Sequence, residues 1–364
     1  MKALIFIIYI LLISIGLQAQ DTIKVKGMVI HLKDIPFNRP YKIIQQSTKK
    51  STDAKDGKGH YDPIVLVSKN KKQVALISKQ ENVLKAVDTS IEESTIEMYD
   101  NKGNIKWTTK KRDYTPCDGR ISGVTGKSYF IWCSDEHIDK LILYDNQGKE
   151  EFSDDNALSI HSDANMNILY YQKKHEKKQT LYYYNSISKN NWSKTFDSKM
   201  PFTVLTISAD GNYCLGGLVS DNNSKLLCID GKGEVKWQRD FIENLGGYNI
   251  SNRGDYIIRI INSKFWELYT GKGELIFKKE GETIRGYKFL PNVGCFVQND
   301  ETIISIASNI SSNKSIVAFY DLKGKLLGHI LVPYEGNYYV ELLPDGKYHL
   351  YFNNQEVSTY FPKW

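Results

Sequence analysis

The sequence predicts an all-β fold built from repeated units of about four short strands. Three observations predict it. A turn signature, Asp/Thr-x-x-Gly followed by a short strand with an aromatic or apolar residue, recurs along most of the 364 residues. A second turn signature precedes several copies of the first. Between the turns the apolar runs are strand-length and carry no helical spacing. Composition agrees: 24 Tyr and only 9 Pro, with Gly punctuation, suit many short strands.

Residues 210–241, DGNYCLGGLVSDNNSKLLCIDGKGEVKWQRDF, display the unit most clearly. A turn at Asp210-Gly211 opens the apolar run 213–219. A polar turn at 220–224 leads to a second run, 226–229, and the turn 230–233 leads to a third that contains Trp237. The first signature recurs as MYDNKGNIKW (98–107), LYDNQGKEEF (143–152), CIDGKGEVKW (228–237), LYTGKGELIF (268–277) and FYDLKGKLLG (319–328), with a degraded copy, YYNSISKNNW (183–192), that lacks the Gly. Its glycines, 103, 148, 233, 273 and 324, are 45, 85, 40 and 51 residues apart, and the degraded copy fills the long gap. Gly supplies the positive φ that a tight hairpin turn requires, and Asp accepts from the turn's own amides. The second signature appears in SADGNYCLGG (208–217), SNRGDYIIRI (251–260), TGKSYFIWC (125–133) and LPDGKYHLYF (343–352).

In chain order, residues 1–19 read as a signal peptide. Lys2 is the charged n-region, 3–17 the apolar run, and the cut falls near Ala19. Residues 20–60 hold one lone strand, 22–32, and a polar loop, 45–60. Residues 61–364 hold the repeats as a single domain. At about 44 residues per unit this span accommodates about seven, with six or eight as neighbouring counts. A meander sheet cannot bury both faces alone, and radial packing of such sheets solves this, so the predicted architecture is a β-propeller of about seven four-stranded blades. The last unit has only three strands, so the strand at 22–32 is expected to pair with 357–361 and close the ring. The longer unit at 284–331 is expected to hold an extra hairpin.

The units resemble the repeats of pyrroloquinoline-quinone-type (PQQ-like) propellers, whose blades end in D-x-x-T-G-K-x-x-W-like turns. The best matches are 230–237 and 100–107, with Thr270-Gly-Lys-Gly a partial one, and the outline is shared with WD40-like bacterial propellers. The GH…WD signature of WD40 repeats is missing. The resemblance implies a propeller used as a binding surface or, in some members, a quinone dehydrogenase. No quinone or calcium residues of that family map onto this chain.

Trp107, Trp192 and Trp237 occupy equivalent positions, so they are expected to dock adjacent blades rather than stack a ligand. Of the five Cys, 117 and 133 fall nearly opposite across a hairpin turning near Gly126, and a disulfide between them is geometrically open. Cys214 and Cys228 have an odd offset, which puts them on opposite faces of a sheet, unbonded. No CxxC or Cys/His metal spacing occurs, the seven His are isolated, and no catalytic motif is present. The acidic segments 134–139 (SDEHID) and 153–156 (SDDN) read as turns rather than calcium sites. A formal charge of +6 spread over scattered Lys does not indicate nucleic acid. No stretch after the leader is long and apolar enough to span a bilayer.

The sequence thus predicts no catalytic, cofactor or metal site. It predicts an exported, periplasmic or extracellular monomer that acts as a non-enzymatic scaffold for a protein or glycan partner. The alternative is an enzyme working in the central channel: a quinone-dependent dehydrogenase, a lyase or a hydrolase. An enzyme calls for titratable groups from several blades converging at the channel mouth, and a scaffold for an exposed aromatic or apolar patch.

Overall fold

The computed structural model describes residues 22–25, 28–31, 41–42, 58–60, 64–68, 72–84, 89–134, 139–173, 179–196, 200–219, 223–241, 246–297, 300–311, 314–332, 338–342, 347–352 and 355–362. Every regular element among them is a β-strand. Among the described residues seven antiparallel meanders follow one another: 64–112, 115–155, 157–196, 202–241, 247–280, 293–332 and 338–362, numbered 1 to 7. Meanders 2 to 6 have four strands each in sequence order, meander 7 has three, and meander 1 carries two extra strands, Tyr41–Lys42 and Lys58–His60. The chain divides into two compact units, Met1–Ser153 and Asp154–Trp364.

The turn chemistry works as the residues require. Gly103, Gly148, Gly233, Gly273 and Gly324 all sit at φ between 79° and 85°. Asp100, Asp145, Asp230 and Asp321 each accept two amides of their own turn through Oδ1, as Asp230 does from Lys232 (2.9 Å) and Glu234 (3.0 Å). In the degraded copy Asn185 takes over the acceptor role and Lys189 occupies the left-handed position at φ 55°.

Within the second unit, the first strands of successive meanders lie against one another. Ala157–Ser162 contacts Phe202–Ile207, which contacts Gly247–Ile250, then Val293–Val297, then Tyr338–Leu342. Meanders 4, 5 and 6 are therefore covered on both faces. In meander 5, Ile257 and Tyr269 pack with Leu215, Leu226 and Cys228 of meander 4, while Ile258 and Leu268 pack with Ile304 and Ile306 of meander 6. Burial on both faces makes the second and third strands continuous apolar runs. Fourth strands such as Val235–Phe241 alternate exposed and half-buried positions. Backbone bonds link neighbouring turn tips: Ala164 N donates to Ala209 O (3.3 Å) and Asp210 N to Asn252 O (3.1 Å).

Several expectations need correction. Residues 22–32 are not one strand. Thr22–Val25 pairs with Met28–His31, with Ile23 opposite Ile30, as a two-stranded sheet. Gln355–Pro362 pairs with Lys347–Phe352, and no pairing of the two terminal segments occurs among the described strands. Lys58–His60, taken as loop, pairs with Gln73–Leu84. Residues 153–155 belong to the strand Glu150–Asp155, and only Asn156, at φ 58°, turns. The expected extra hairpin near 284 needs no correction: Thr283–Ile284 pairs with Tyr287–Lys288. The leader region 1–19 and residues 135–138 lie outside the described residues.

Cys117 and Cys133 are joined by a disulfide with Cα atoms 5.9 Å apart. The register differs from a simple hairpin count. Asp118 pairs with Ile131 but Pro116 with Trp132, so Cys117 falls in a bulge and the disulfide bridges its two strands there. Cys214 packs with Tyr170 and Phe202, Cys228 with Ile257, and Cys295 with Val317 and Phe319. Burial pushes the Cys214 thiol well above its usual range and that of Cys228 up to about 12. Native protein at about pH 8 should therefore take up no thiol reagent, because only the thiolate reacts. After denaturation without reductant three thiols should label, and with reductant all five. Intact mass reads both counts, and five labels without reductant would refute the disulfide.

Candidate functional site

The fourth-strand aromatics meet the turn glycines of the next meander. Trp107 lies on Gly148, Trp192 on Gly233, Trp237 on Gly273 and Phe277 on Gly324, close enough that a Cβ on each glycine would stand 2.6–3.2 Å from the ring. Trp192 Nε1 donates to Gly231 O (3.0 Å) and Trp237 Nε1 to Gly271 O (2.8 Å). The buried indole nitrogen of Trp107 has no hydrogen-bond partner. Two residues further on, a cation extends two of these junctions. Arg239 donates to Gly273 O (3.1 Å) over the Tyr269 ring, and Lys279 to Gly324 O (3.1 Å) over the Tyr320 ring.

The junction of meanders 4 and 5 opens into a cleft of about 690 Å³, within the range of small-molecule sites. Its walls carry the half-buried rings of Tyr213 and Trp237. Lys236, Arg253 and Lys272 stand at its rim with Asp255 and Glu274. Arg253 pairs with Asp255 (3.2 Å), and Lys236 reaches Asp230 (3.7 Å). Gly254 and Gly271 bring the two turns of meander 5 together. Gly271 N donates to Asp255 O (2.6 Å), and a Cβ on Gly271 would come within 2.1 Å of Gly254 O. No other described turn of this type carries Gly at that position with such a contact; at Gly231, its counterpart in meander 4, a Cβ would stand an ordinary 3.7 Å from the nearest atom. Bare backbone thus lines part of the cleft.

Thr270 replaces the turn Asp here. It accepts only the Glu274 amide (3.2 Å), where Asp230 accepts two. Thr270→Asp should add the second bond and raise stability by about 0.5–1.5 kcal/mol, read as a higher urea midpoint. A lower midpoint would show that the site tolerates no carboxylate, and an unchanged one that the second bond adds nothing.

A polar row crosses all four strands of meander 5 and is buried at its two central members, Arg259 and Glu267. Tyr248, Arg259, Glu267 and Lys278 stand directly opposite one another in register. Arg259 (2% exposed) donates to Glu267 (5% exposed) at 3.2 Å. Tyr269 O–H donates to the same oxygen, and Lys278 Nζ lies 3.4 Å from the other. Arg259 also covers the Phe241 ring at 3.8 Å. Burial, then the Glu267 hydrogen bond and charge, push Tyr269 up to about 12.

The acidic segments have structural partners. Asp139 accepts the Ser134 amide (3.1 Å), and Asp154 accepts from Tyr171 (2.5 Å) and Lys173 (2.7 Å). Among the described residues no three His, Cys, Asp or Glu gather as a metal-binding group. Sequence reading placed the aromatics but missed Arg253, Arg259, Glu267 and Lys272. The Thr in the fifth turn signature was the available signal.

No protein-family model matches the sequence, and no curated protein matches it. Among solved structures the chain is similar to a eukaryotic initiation factor, with TM-score 0.53 and 10% identity over 76% of this chain and 79% of that one. It is also similar to the β-propeller domain of Cps50 (Swd1) from Myceliophteria thermophila, with TM-score 0.46 and 11% identity over 80% and 93% of the two chains. BamB from Moraxella catarrhalis matches with TM-score 0.40 and 9% identity over 87% and 98%. At 10% identity the initiation-factor likeness bears on the fold alone.

Proposed function

We propose that the chain is an exported β-propeller of about seven blades that serves as a non-enzymatic scaffold for a protein or glycan partner. The meanders are its blades. Trp107, Trp192 and Trp237 dock each blade on the next, through contacts that repeat from junction to junction. The Cys117–Cys133 disulfide supports an oxidising compartment, in keeping with the leader read at residues 1–19. The observation that carries the binding role is the cleft of meanders 4 and 5, where aromatic walls meet a rim of both charges. The neighbouring Val235, Leu275 and Ile276 expose 37–45% of their surface, giving the partner an apolar border.

Affinity capture tests the reading. The mature chain, immobilised and exposed to the native envelope fraction, should retain a partner that Arg253→Glu and Lys272→Glu release. Both positions are exposed, so the variants should fold. Retention unaffected by both changes would move the site elsewhere. Turnover of a substrate by the isolated chain would overturn the non-enzymatic role.

A further inference from the structure

We propose that the cleft between meanders 4 and 5 binds an acidic saccharide, with a sugar carboxylate held by Lys272 and Arg253. This deepens the partner-binding reading and rests on it. Three features of the cleft converge on such a ligand. The first is charge: Lys236 is paired with Asp230 and Arg253 with Asp255, while Lys272 stands at the rim with no ion pair among the described residues. At the same turn position where Asp100, Asp145, Asp230 and Asp321 stand, this cleft has the uncharged Thr270, so the negative charge of the usual turn is missing from the place facing the ligand. A carboxylate can then meet Lys272 and Arg253 with charge-assisted bonds.

The second feature is the mixture. A simple anion needs only cations, but Asp255 and Glu274 share the rim and are acceptors for hydroxyl groups. Cations with acceptors beside them match a ligand that carries both an acid and several hydroxyls. The third is shape. Tyr213 and Trp237 give flat apolar walls on which a sugar ring's C–H face can rest, and Gly254 and Gly271 let the ligand approach backbone closely. Meander 4 carries the corresponding turn without the Gly contact or the Thr, so the site belongs to this junction.

Isothermal titration of the whole mature chain tests the assignment. The probes are a galacturonate trisaccharide, the neutral galactose trisaccharide and a Glu-rich peptide. The galacturonate trimer should bind saturably, quench Trp fluorescence, weaken as salt rises, and exceed the neutral trimer by roughly tenfold. Lys272→Glu and Arg253→Glu should abolish binding. Thr270→Asp should weaken it while leaving the protein at least as stable, which separates ligand loss from misfolding. Equal binding of the neutral trimer, equal binding of the peptide, or no galacturonate binding would each overturn the assignment. If envelope capture still gave a partner released by Lys272→Glu while galacturonate failed, the saccharide class would fall and the scaffold reading would stand. Cleavage of bound galacturonate would keep the ligand class and overturn the non-enzymatic reading.

Discussion

Glu267→Gln is expected to lower stability by about 3–5 kcal/mol, the cost of leaving one buried charge without its partner. Arg259 is almost fully enclosed, and it donates to Glu267 at 3.2 Å. Gln keeps the shape and one acceptor but removes the charge that faces Arg259. The Tyr269 hydroxyl also loses its ionised acceptor. Lys278 is far less affected, because its side chain is 43% exposed and water can solvate it. Arg259→Met should cost a similar amount, since Glu267 then keeps only the exposed Lys278 and Tyr269. The double variant Arg259→Met with Glu267→Leu should be less damaged than either single one. It removes both desolvated charges and replaces them with apolar volume. Urea unfolding of the four proteins measures the coupling. Additive losses would mean that the two side chains do not act as a pair.

How much of this was legible in the sequence follows from which interactions are local. The turns are local: Asp230 binds amides two and four residues away, so Asp-x-x-Gly alone announces them. The strands between turns follow from their apolar runs. The Trp positions were legible because they repeat. What escaped depends on register or on neighbouring sheets. Cys117 and Cys133 could be paired only loosely, because a bulge between Ile131 and Trp132 shifts the hairpin by one residue. Residues 22–32 alternate well enough for one strand, yet Thr22–Val25 and Met28–His31 pair with each other as two. Arg259 and Glu267 are eight residues apart and look like ordinary surface charges in a strand. The packing of Phe241 from the preceding meander over Arg259 helps make them a buried pair. The cleft likewise arises where two meanders meet, which no single repeat encodes.

Trp237→Ala is expected to cost on the order of 3 kcal/mol, through lost burial and an unfilled gap at the junction. The indole lies flat enough on Gly273 that an added Cβ there would stand 2.7 Å from it, and its N–H holds the Gly271 carbonyl. Losing the ring removes both contacts and leaves Arg239 as the link to the next turn. The hydrogen bond can be weighed separately by Trp→Phe changes at the three equivalent positions. Trp237→Phe and Trp192→Phe each lose a bond to a backbone carbonyl as well as ring area. Trp107→Phe loses ring area only, because its N–H has no partner. The first two should therefore be destabilised by about 1 kcal/mol more than the third. Gly273→Ala adds a further check. In the intact protein it suffers both the φ of 82° and the clash with Trp237. In the Trp237→Ala background only the backbone strain, about 1–2 kcal/mol, should remain. A Gly273→Ala penalty that is the same in both backgrounds would mean that the ring and the turn do not bear on each other. Equal losses for all three Phe variants would remove the indole hydrogen bond from the account of how successive meanders are held.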